Sequence, residues 1–299
     1  MLSGILNVYK EPGYTSNDVV AKLRGILGQR KIGHAGTLDP AASGVLPVLL
    51  GTATRLSDEI MRHEKSYLAS MLLGVTTDTQ DLTGTVLSRW ERALPEEDAV
   101  RQAVLSFKGG YEQLPPMYSA KQVNGKRLYE LAREGKEVVR SKVFVKITDI
   151  RIRKMDLPRV WIEVDCSKGT YIRTLCHDIG ALLGCGAAMD SLVRTRAGGF
   201  FLEDAIKLDE IEKLAANGRI LERIVLPEEL YLDHLRVRTP SPEAEKKLRN
   251  GNALTLGELF LPERGCGDLI RLCTADGTFL ALYRFEPEKK RYVPYRMFL

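Results

Sequence analysis

The chain of 299 residues is long enough for one large domain, or for one domain with a small appendage. Hydrophobic residues make up 44% and charged residues 28%, with a net charge of +5, a composition typical of soluble globular proteins. No stretch has the ~18 uninterrupted apolar residues of a membrane-spanning helix, and residues 1–10 lack the features of a signal peptide. We therefore expect a cytoplasmic protein with no membrane partner.

Local patterns in the first two thirds of the chain predict mixed helices and strands. A helix beginning at Ser16 or Asn17, either of which can cap it, repeats apolar residues at helical spacing and ends at Gly28. Asn124-Gly125 predicts a hairpin turn. Hydrophobic periodicity predicts, in chain order, a buried strand at 45–50, a strand at 67–73, helices at 95–108 and 127–133, strands at 143–153 and 160–166, and a helix at 171–183. Because these elements follow no βαβ rhythm, we expect an α+β domain with a mixed, largely antiparallel sheet.

The composition changes near residue 230, and shorter elements follow. A polar stretch containing prolines precedes a short helix at 243–248 and strand-like segments at 268–274, 279–285 and 292–298. About 65 residues of short strands are typical of a small β-barrel. We therefore divide the chain into domains at 1–232 and 233–299.

The positions of charged residues and cysteines limit the possible partners and catalytic groups. Residues 19–38 and 121–146 form two basic zones, which suit a polyanionic partner or are simply solvated faces. The five cysteines are odd in number and contain no Cys-x-x-Cys pair, so neither a disulfide framework nor a zinc site is indicated. Cys176 and His177 are adjacent on a predicted helix and point apart, which makes them a poor nucleophile–base pair.

The most informative segment is residues 33–44, Gly-His-Ala-Gly-Thr-Leu-Asp-Pro-Ala-Ala-Ser-Gly. Its glycines allow tight turns and close approach of a ligand, and the apolar strand behind it makes the loop rigid. Asp39 on such a loop is suited to act as a nucleophile. A purely structural turn at Leu-Asp-Pro is the alternative.

This loop resembles the catalytic motif of the TruB family of tRNA pseudouridine synthases, Gly-His-x-Gly-x-Leu-Asp-Pro-x-Ala-x-Gly, at every fixed position. Three further segments resemble family motifs and occur in the family order. They are Lys65-Ser66-Tyr67 with the run to Asp81, residues 115–133, and residues 166–175. The N-terminal Lys-Pro-x-Gly motif departs from the family, because Glu11 stands between Lys10 and the proline, and Gln122 replaces a common family lysine.

The resemblance implies a pseudouridine synthase fold and isomerisation of uridine 55 in the T-arm of tRNA, without metal or cofactor. Asp39 would be the nucleophile, attacking either C1′ of the ribose or C6 of the base, and Arg173 would be the cation that keeps it ionised. Tyr67 would stack on the target base or assist proton transfer.

The resemblance also implies residues that bind the RNA. Tyr171 and Leu192 would line the base pocket, although both suit a plain core. His34 would contact nucleotides where the flipped base has left the stack, or be an ordinary loop histidine. Lys10, Lys126 and Arg127 would contact the RNA.

The resemblance also implies how the C-terminal domain acts and which partners the protein has. The C-terminal domain would be a PUA-like RNA-binding domain, with a structural cap as the alternative. We expect a monomer that needs no obligate protein partner. The competing functions are a dyskerin-like, guide-RNA-dependent pseudouridine synthase and a non-catalytic chaperone for tRNA folding.

Overall fold

The computed structural model describes residues 1–118 and 138–299, together with the backbone of two short strands at 122–123 and 126–127. The helices are α1 (Ser16–Ile26), α2 (Ser57–Arg62), α3 (Glu97–Leu105), α4 (Ile172–Leu182), α5 (Leu208–Ala216) and α6 (Pro242–Arg249). In the described part of the chain, none of them is long and apolar enough to span a membrane.

The strands fall into two sheets and several short pairs. They are β1 (Gly4–Lys10), β2 (Ile32–His34), β3 (Ser43–Leu50), β4 (Lys65–Leu73), β5 (Val75–Thr77), β6 (Val86–Arg89), β7 (Tyr111–Gln113), β8 (Gln122–Val123), β9 (Lys126–Arg127), β10 (Val143–Val145), β11 (Ile147–Asp156), β12 (Arg159–Cys166), β13 (Ala187–Ala197), β14 (Phe200–Phe201), β15 (Ile224–Val225), β16 (Leu235–Arg238), β17 (Leu254–Thr255), β18 (Leu269–Cys273), β19 (Phe279–Glu286) and β20 (Arg291–Met297).

A nine-stranded sheet forms the centre of the molecule. Its strand order is β11-β12-β4-β13-β3-β1-β15, with β14 beside β13 and β2 beside β3. Every pairing is antiparallel except that between β13 and β3. The fold is therefore α+β with a mixed sheet, as the sequence predicts.

Side chains on β1 show how the central sheet is covered on both faces. Leu6 and Val8 pack with apolar residues of α1 and α5, whereas Ile5 faces a second cluster that contains Leu282 and Phe298 from the C-terminal region. Successive side chains of a strand point to opposite faces, so one apolar strand serves two cores. A third cluster lies between β4, β12, β13 and helices α3 and α4.

The C-terminal region forms a separate five-stranded sheet of strand order β16-β18-β19-β20-β17. This half-barrel has its own core and lies against the central sheet through the cluster that includes Leu282 and Phe298. In addition, Arg55 Nη1 donates a hydrogen bond of 2.6 Å to the carbonyl of Met297.

Two predicted details are wrong. Helix α1 is capped by Thr15, whose side chain accepts from the Asp18 N–H while Asp18 accepts from the Thr15 N–H. The predicted strand 143–153 is broken at Lys146, whose backbone exchanges hydrogen bonds with Ser167 instead of continuing one ladder. As a result, β10 pairs with β7 and β11 pairs with β12.

One predicted region lies largely outside the described residues. Strands β8 and β9 pair antiparallel, with Gln122 opposite Arg127 and Val123 opposite Lys126. The predicted turn at 124–125 lies outside the described residues, as do residues 128–133 of the predicted helix.

Candidate active site

The loop that carries Asp39 is fixed at several points by backbone hydrogen bonds. The Leu38 N–H donates to Ser16 Oγ at 2.9 Å, which ties the loop to the first turn of α1. The Gly13 N–H donates to the carbonyl of Pro40 at 2.9 Å. The Ala42 N–H closes a turn on the Asp39 carbonyl at 3.0 Å. Asp39 thus lies on a turn between β2 and β3 that hydrogen bonds hold in place.

Lys10 supports this loop from beneath. Its side chain is fully buried, and Nζ donates to the carbonyls of Glu11, Tyr14 and Pro40 at distances of 3.1, 2.6 and 3.2 Å. Burial lowers the pKa of Lys10 to about 8, and the nearby Asp39 partly opposes this. The structure thus shows Lys10 donating inside the protein and fixing the loop, and its assignment to RNA contact stays a prediction.

Arg194, at the far end of β13, holds the other side of the loop. Its buried guanidinium donates to the carbonyls of Val45, Gly36 and Thr37 at 2.7, 3.1 and 3.4 Å. The sequence analysis did not identify this residue, since neither a motif nor hydrophobic periodicity distinguishes Arg194 from an ordinary surface arginine.

Arg173 lies in the first turn of α4 and faces the Asp39 carboxylate. Its Nη1 is 3.3 Å from Asp39 Oδ2 and 3.7 Å from Asp81 Oδ2, and its Nη2 donates to the Tyr118 carbonyl. The Arg173 side chain is only 7% exposed, whereas that of Asp39 is 38% exposed. One buried cation is therefore shared by two carboxylates, of which Asp39 is the more accessible.

The groups around Asp39 shift the pKa of its carboxyl in opposite directions. Burial raises the pKa of the Asp39 carboxyl above its ordinary value, and the charge of Asp81 acts in the same direction. Arg173 and, to a smaller extent, Lys10 lower that pKa. Arg173 thus offsets the cost of ionising a carboxyl at a desolvated site.

Asp81 is held by hydroxyl groups close to it in the chain. Its Oδ1 accepts from Thr79 Oγ1 at 2.8 Å, Thr83 N–H at 3.0 Å and Thr83 Oγ1 at 2.5 Å. Its other oxygen remains directed towards Arg173. The sequence analysis included Asp81 in a motif segment and assigned it no role.

A cavity of about 650 Å³ opens in front of Asp39. Its lining includes five residues assigned to the site from sequence, which are Asp39, Tyr67, Tyr171, Arg173 and Leu192. Tyr67 is 8% exposed, and burial raises the pKa of its phenol, so it is protonated at neutral pH. The cavity therefore places the Asp39 carboxylate beside aromatic and apolar side chains.

His34 does not line this cavity. It lies on β2, paired with Val48 of β3, and burial lowers the pKa of its imidazole. Its Nδ1 is buried and has no hydrogen-bond partner among the residues that the structure describes.

The remaining predictions concern Lys126, Arg127, metals and cysteines. Lys126 and Arg127 form β9, and their side chains lie outside the described part of the chain. Within the described residues there is no group of three or more His, Cys, Asp or Glu side chains that could hold a metal ion. All five cysteines are free, and burial raises the pKa of Cys176 to about 12.

The chain is similar to known proteins along most of its length. Residues 24–172 match the model of the TruB family pseudouridylate synthase N-terminal domain, and residues 173–233 match the tRNA pseudouridylate synthase B C-terminal domain. A tRNA pseudouridine synthase B of Moorella thermoacetica is 45% identical over 296 residues, which cover 97% of this chain and 96% of that protein. The corresponding protein of Alkaliphilus oremlandii is 45% identical over 253 residues, or 85% of this chain and 83% of its relative.

Solved structures show the same fold at lower identity. A Cbf5-Nop10-Gar1 complex matches with a TM-score of 0.72 and 28% identity, over 99% of this chain and 85% of the matched chain. An H/ACA ribonucleoprotein bound to a substrate RNA that contains 2′-deoxyuridine matches with a TM-score of 0.70 and 25% identity, over the same shares of the two chains. The chain belongs to the TruB family of pseudouridylate synthases, which are isomerases.

Proposed function

We propose that the protein isomerises uridine to pseudouridine at position 55 in the T-arm of tRNA, with Asp39 as the nucleophile. The observation that carries this proposal is the pairing of Asp39 with Arg173 at 3.3 Å at the edge of a cavity lined by Tyr67, Tyr171 and Leu192. Relatives that are 45% identical and named tRNA pseudouridine synthase B support tRNA as the substrate.

The reaction needs a group that adds to the nucleoside and leaves again. The bond between N1 and C1′ breaks, the base turns, and a bond forms between C5 and C1′. The hydrogen of C5 is lost as a proton and N1 gains one, so the product is an isomer of the substrate. An ionised Asp39 can add to C1′ or to C6 and later depart, and both routes fit its position at the edge of the cavity.

The walls of the cavity suit a base that has left its stack. Tyr67 presents its aromatic ring for stacking, and because its raised pKa keeps the phenol protonated at neutral pH, it is poorly suited to accept the C5 proton. Tyr171 and Leu192 would enclose the base from the sides.

Basic and aromatic groups outside the cavity would hold the rest of the RNA. We assign Lys126 and Arg127 to phosphate contacts, since they lie in the basic zone at 121–146. His34 lies on the strand that leads into the Asp39 loop, and we assign it to nucleotides beside the vacated stack.

The C-terminal domain from residue 233 would be a PUA-like RNA-binding domain. Its five-stranded half-barrel with a separate core supports an independent unit. It shares an apolar cluster with β1 and β3, so it would present RNA to the catalytic domain in a fixed orientation.

A guide-RNA-dependent enzyme is the second candidate, because the Cbf5-Nop10-Gar1 complex and the H/ACA ribonucleoprotein share the fold over 99% of this chain. The higher identity to proteins named tRNA pseudouridine synthase B favours a stand-alone enzyme. Incubation with a bare T-arm stem-loop and no other RNA or protein separates the two, since only the stand-alone enzyme forms product there. A chaperone would bind the stem-loop and form none.

Asp39→Asn tests the nucleophile. The amide is nearly isosteric and should preserve folding and RNA affinity, whereas single-turnover pseudouridine formation should disappear. Asp58→Asn is the matched control, since Asp58 is an exposed carboxylate on the wall of the same cavity. Near-normal turnover by Asp39→Asn would mean that Asp39 is not the nucleophile and only forms part of a structural turn.

A further inference from the structure

A buried amide joins strand β7 to helix α4. The Gln113 side chain is 1% exposed, and its Oε1 accepts from the Tyr171 N–H at 2.8 Å. Its Nε2 donates to the Tyr171 carbonyl at 3.0 Å and to Tyr111 Oη at 2.7 Å. Both amide hydrogens and the amide oxygen are therefore in use, which fixes the orientation of the side chain.

The contact continues to a second point on the same helix. Tyr111 Oη donates to Asp178 Oδ2 at 2.8 Å, and Asp178 lies seven residues beyond Tyr171. Burial raises the pKa of the Tyr111 phenol, which keeps it protonated as a donor. Strand β7 is therefore hydrogen-bonded to α4 at two points, at the start of the helix and about two turns later.

The first turn of α4 needs this external support. Tyr171 is the residue that precedes the helix, and its side chain makes no capping hydrogen bond. The N–H groups at a helix start lack partners within the helix, and a side chain usually supplies one of them with an acceptor. Gln113 supplies an acceptor to the Tyr171 N–H from a different strand, two residues before Arg173.

The same segment also touches Arg173 directly. The carbonyl of Tyr118, five residues after Gln113, accepts from Arg173 Nη2. The guanidinium is therefore held by the strand segment on one side and faces the two carboxylates on the other.

We infer that Gln113 is a positioning residue, which sets the distance between Arg173 and Asp39 by fixing the first turn of α4. The inference rests on the proposed role of Asp39 as the nucleophile. Gln113 itself does not line the cavity, so its action passes through Tyr171 and Arg173.

The test compares Gln113→Leu with the wild type in single-turnover reactions on a T-arm stem-loop. Leucine is of similar size and removes all three hydrogen bonds. Misplacement of a catalytic group by 1 Å can cost about 100-fold in rate, so we expect a fall of about 10- to 100-fold with RNA affinity unchanged. Tyr111→Phe keeps the amide pair with Tyr171 and should lose less. Gln102→Leu, an exposed glutamine on α3, is the matched control and should change nothing.

Two readouts separate positioning from general destabilisation. Asp39 is surrounded by Arg173, Asp81 and Lys10, and if Arg173 moves away, the acid limb of the rate–pH profile should shift to higher pH. In an Arg173→Lys background, the loss caused by Gln113→Leu should shrink, because the two residues act through one contact.

The opposite results would overturn the inference. They are an unmoved acid limb in Gln113→Leu, or a full additive loss in the Arg173→Lys background. If Gln113→Leu does not fold, Gln113→Asn, whose amide is one methylene too short for both Tyr171 contacts, is measured in the same two ways, with the same expected and contrary results. Turnover retained by Asp39→Asn would instead contradict the proposed function, and that result is independent of any Gln113 variant.

Discussion

Arg194 and Arg196 are two residues apart on β13 and should respond very differently to the same substitution. Regular alternation would place both side chains on one face of the sheet. However, the register with β4 shifts between them, so that Arg194 lies opposite Tyr67 and Arg196 opposite Ser66. Arg194 is buried beneath the Asp39 loop, whereas the Arg196 side chain is 30% exposed and faces Glu64 and Asp165.

The cost of Arg194→Met follows from its hydrogen bonds to carbonyls. The two shorter ones, at 2.7 and 3.1 Å, contribute about 1.5–3 kcal/mol each as bonds from a charged donor. Removing a buried cation that lowers the pKa of Lys10 and Lys65 offsets part of that sum. We expect the free energy of unfolding to fall by about 2–4 kcal/mol. Arg196→Met loses only partly exposed ion pairs and a hydrogen bond to Ser66 Oγ, and should cost about 1 kcal/mol or less.

Urea denaturation of the two variants measures this difference, and single-turnover pseudouridine formation measures its effect on the site. Arg194→Met should lose both stability and rate, because the carbonyls of Gly36 and Thr37 precede Asp39 closely in the same loop. Arg194→Lys keeps the charge but cannot reach three carbonyls at once, and should lie between. Equal losses for Arg194→Met and Arg196→Met would refute the argument, as would wild-type stability of Arg194→Met.

Two further predictions concern the same loop. The single-turnover rate should fall as pH decreases through the raised pKa of Asp39, because only the ionised form attacks, and Arg173→Met should move this fall to higher pH by removing the contribution that lowers the pKa. Single-turnover rates measured between pH values of about 4.5 and 8 give the shift. Coincident profiles for the wild type and Arg173→Met would show that Arg173 does not influence the ionisation of Asp39. Gly44→Ala should lower the free energy of unfolding by at least about 2 kcal/mol, because Gly44 has a φ of +105° and an added Cβ would lie 2.2 Å from the Arg194 carbonyl oxygen. Gly33→Ala is its control in urea denaturation, since an added Cβ there meets nothing within 4 Å, and equal losses would contradict the steric argument.

Hydrophobic periodicity predicts much of the fold because most elements bury one regular face. Strand β12 buries alternate residues, and α4 packs its apolar face on the central sheet. The mixed α+β class follows from the order of these elements. Details decided by single hydrogen bonds do not follow, as at Lys146, where contacts with Ser167 interrupt a run that alternates like one long strand.

Motif spacing brings five predicted residues to one cavity, but it misses the residues that support them. Asp81 and Gln113 come from segments far from Asp39 in sequence, and their partners, Arg173 and Tyr171, lie at the start of α4. A glutamine in a short strand has no periodic or compositional signal that distinguishes it from a solvated one. Only the tertiary packing of β7 against α4 makes its amide a helix cap.

Lys10 and Arg194 show why charge alone does not identify RNA contacts. Buried carbonyls in and around the Asp39 loop need hydrogen-bond donors. The two cations donate to six of them, which are Gly36, Thr37 and Pro40 in the loop, Glu11 and Tyr14 between β1 and α1, and Val45 on β3. Lys10 also lowers the pKa of Asp39, so a residue that fixes the loop contributes to the ionisation of the proposed nucleophile. Loop geometry and nucleophile chemistry are therefore coupled through buried cations, and a substitution at either cation should alter both.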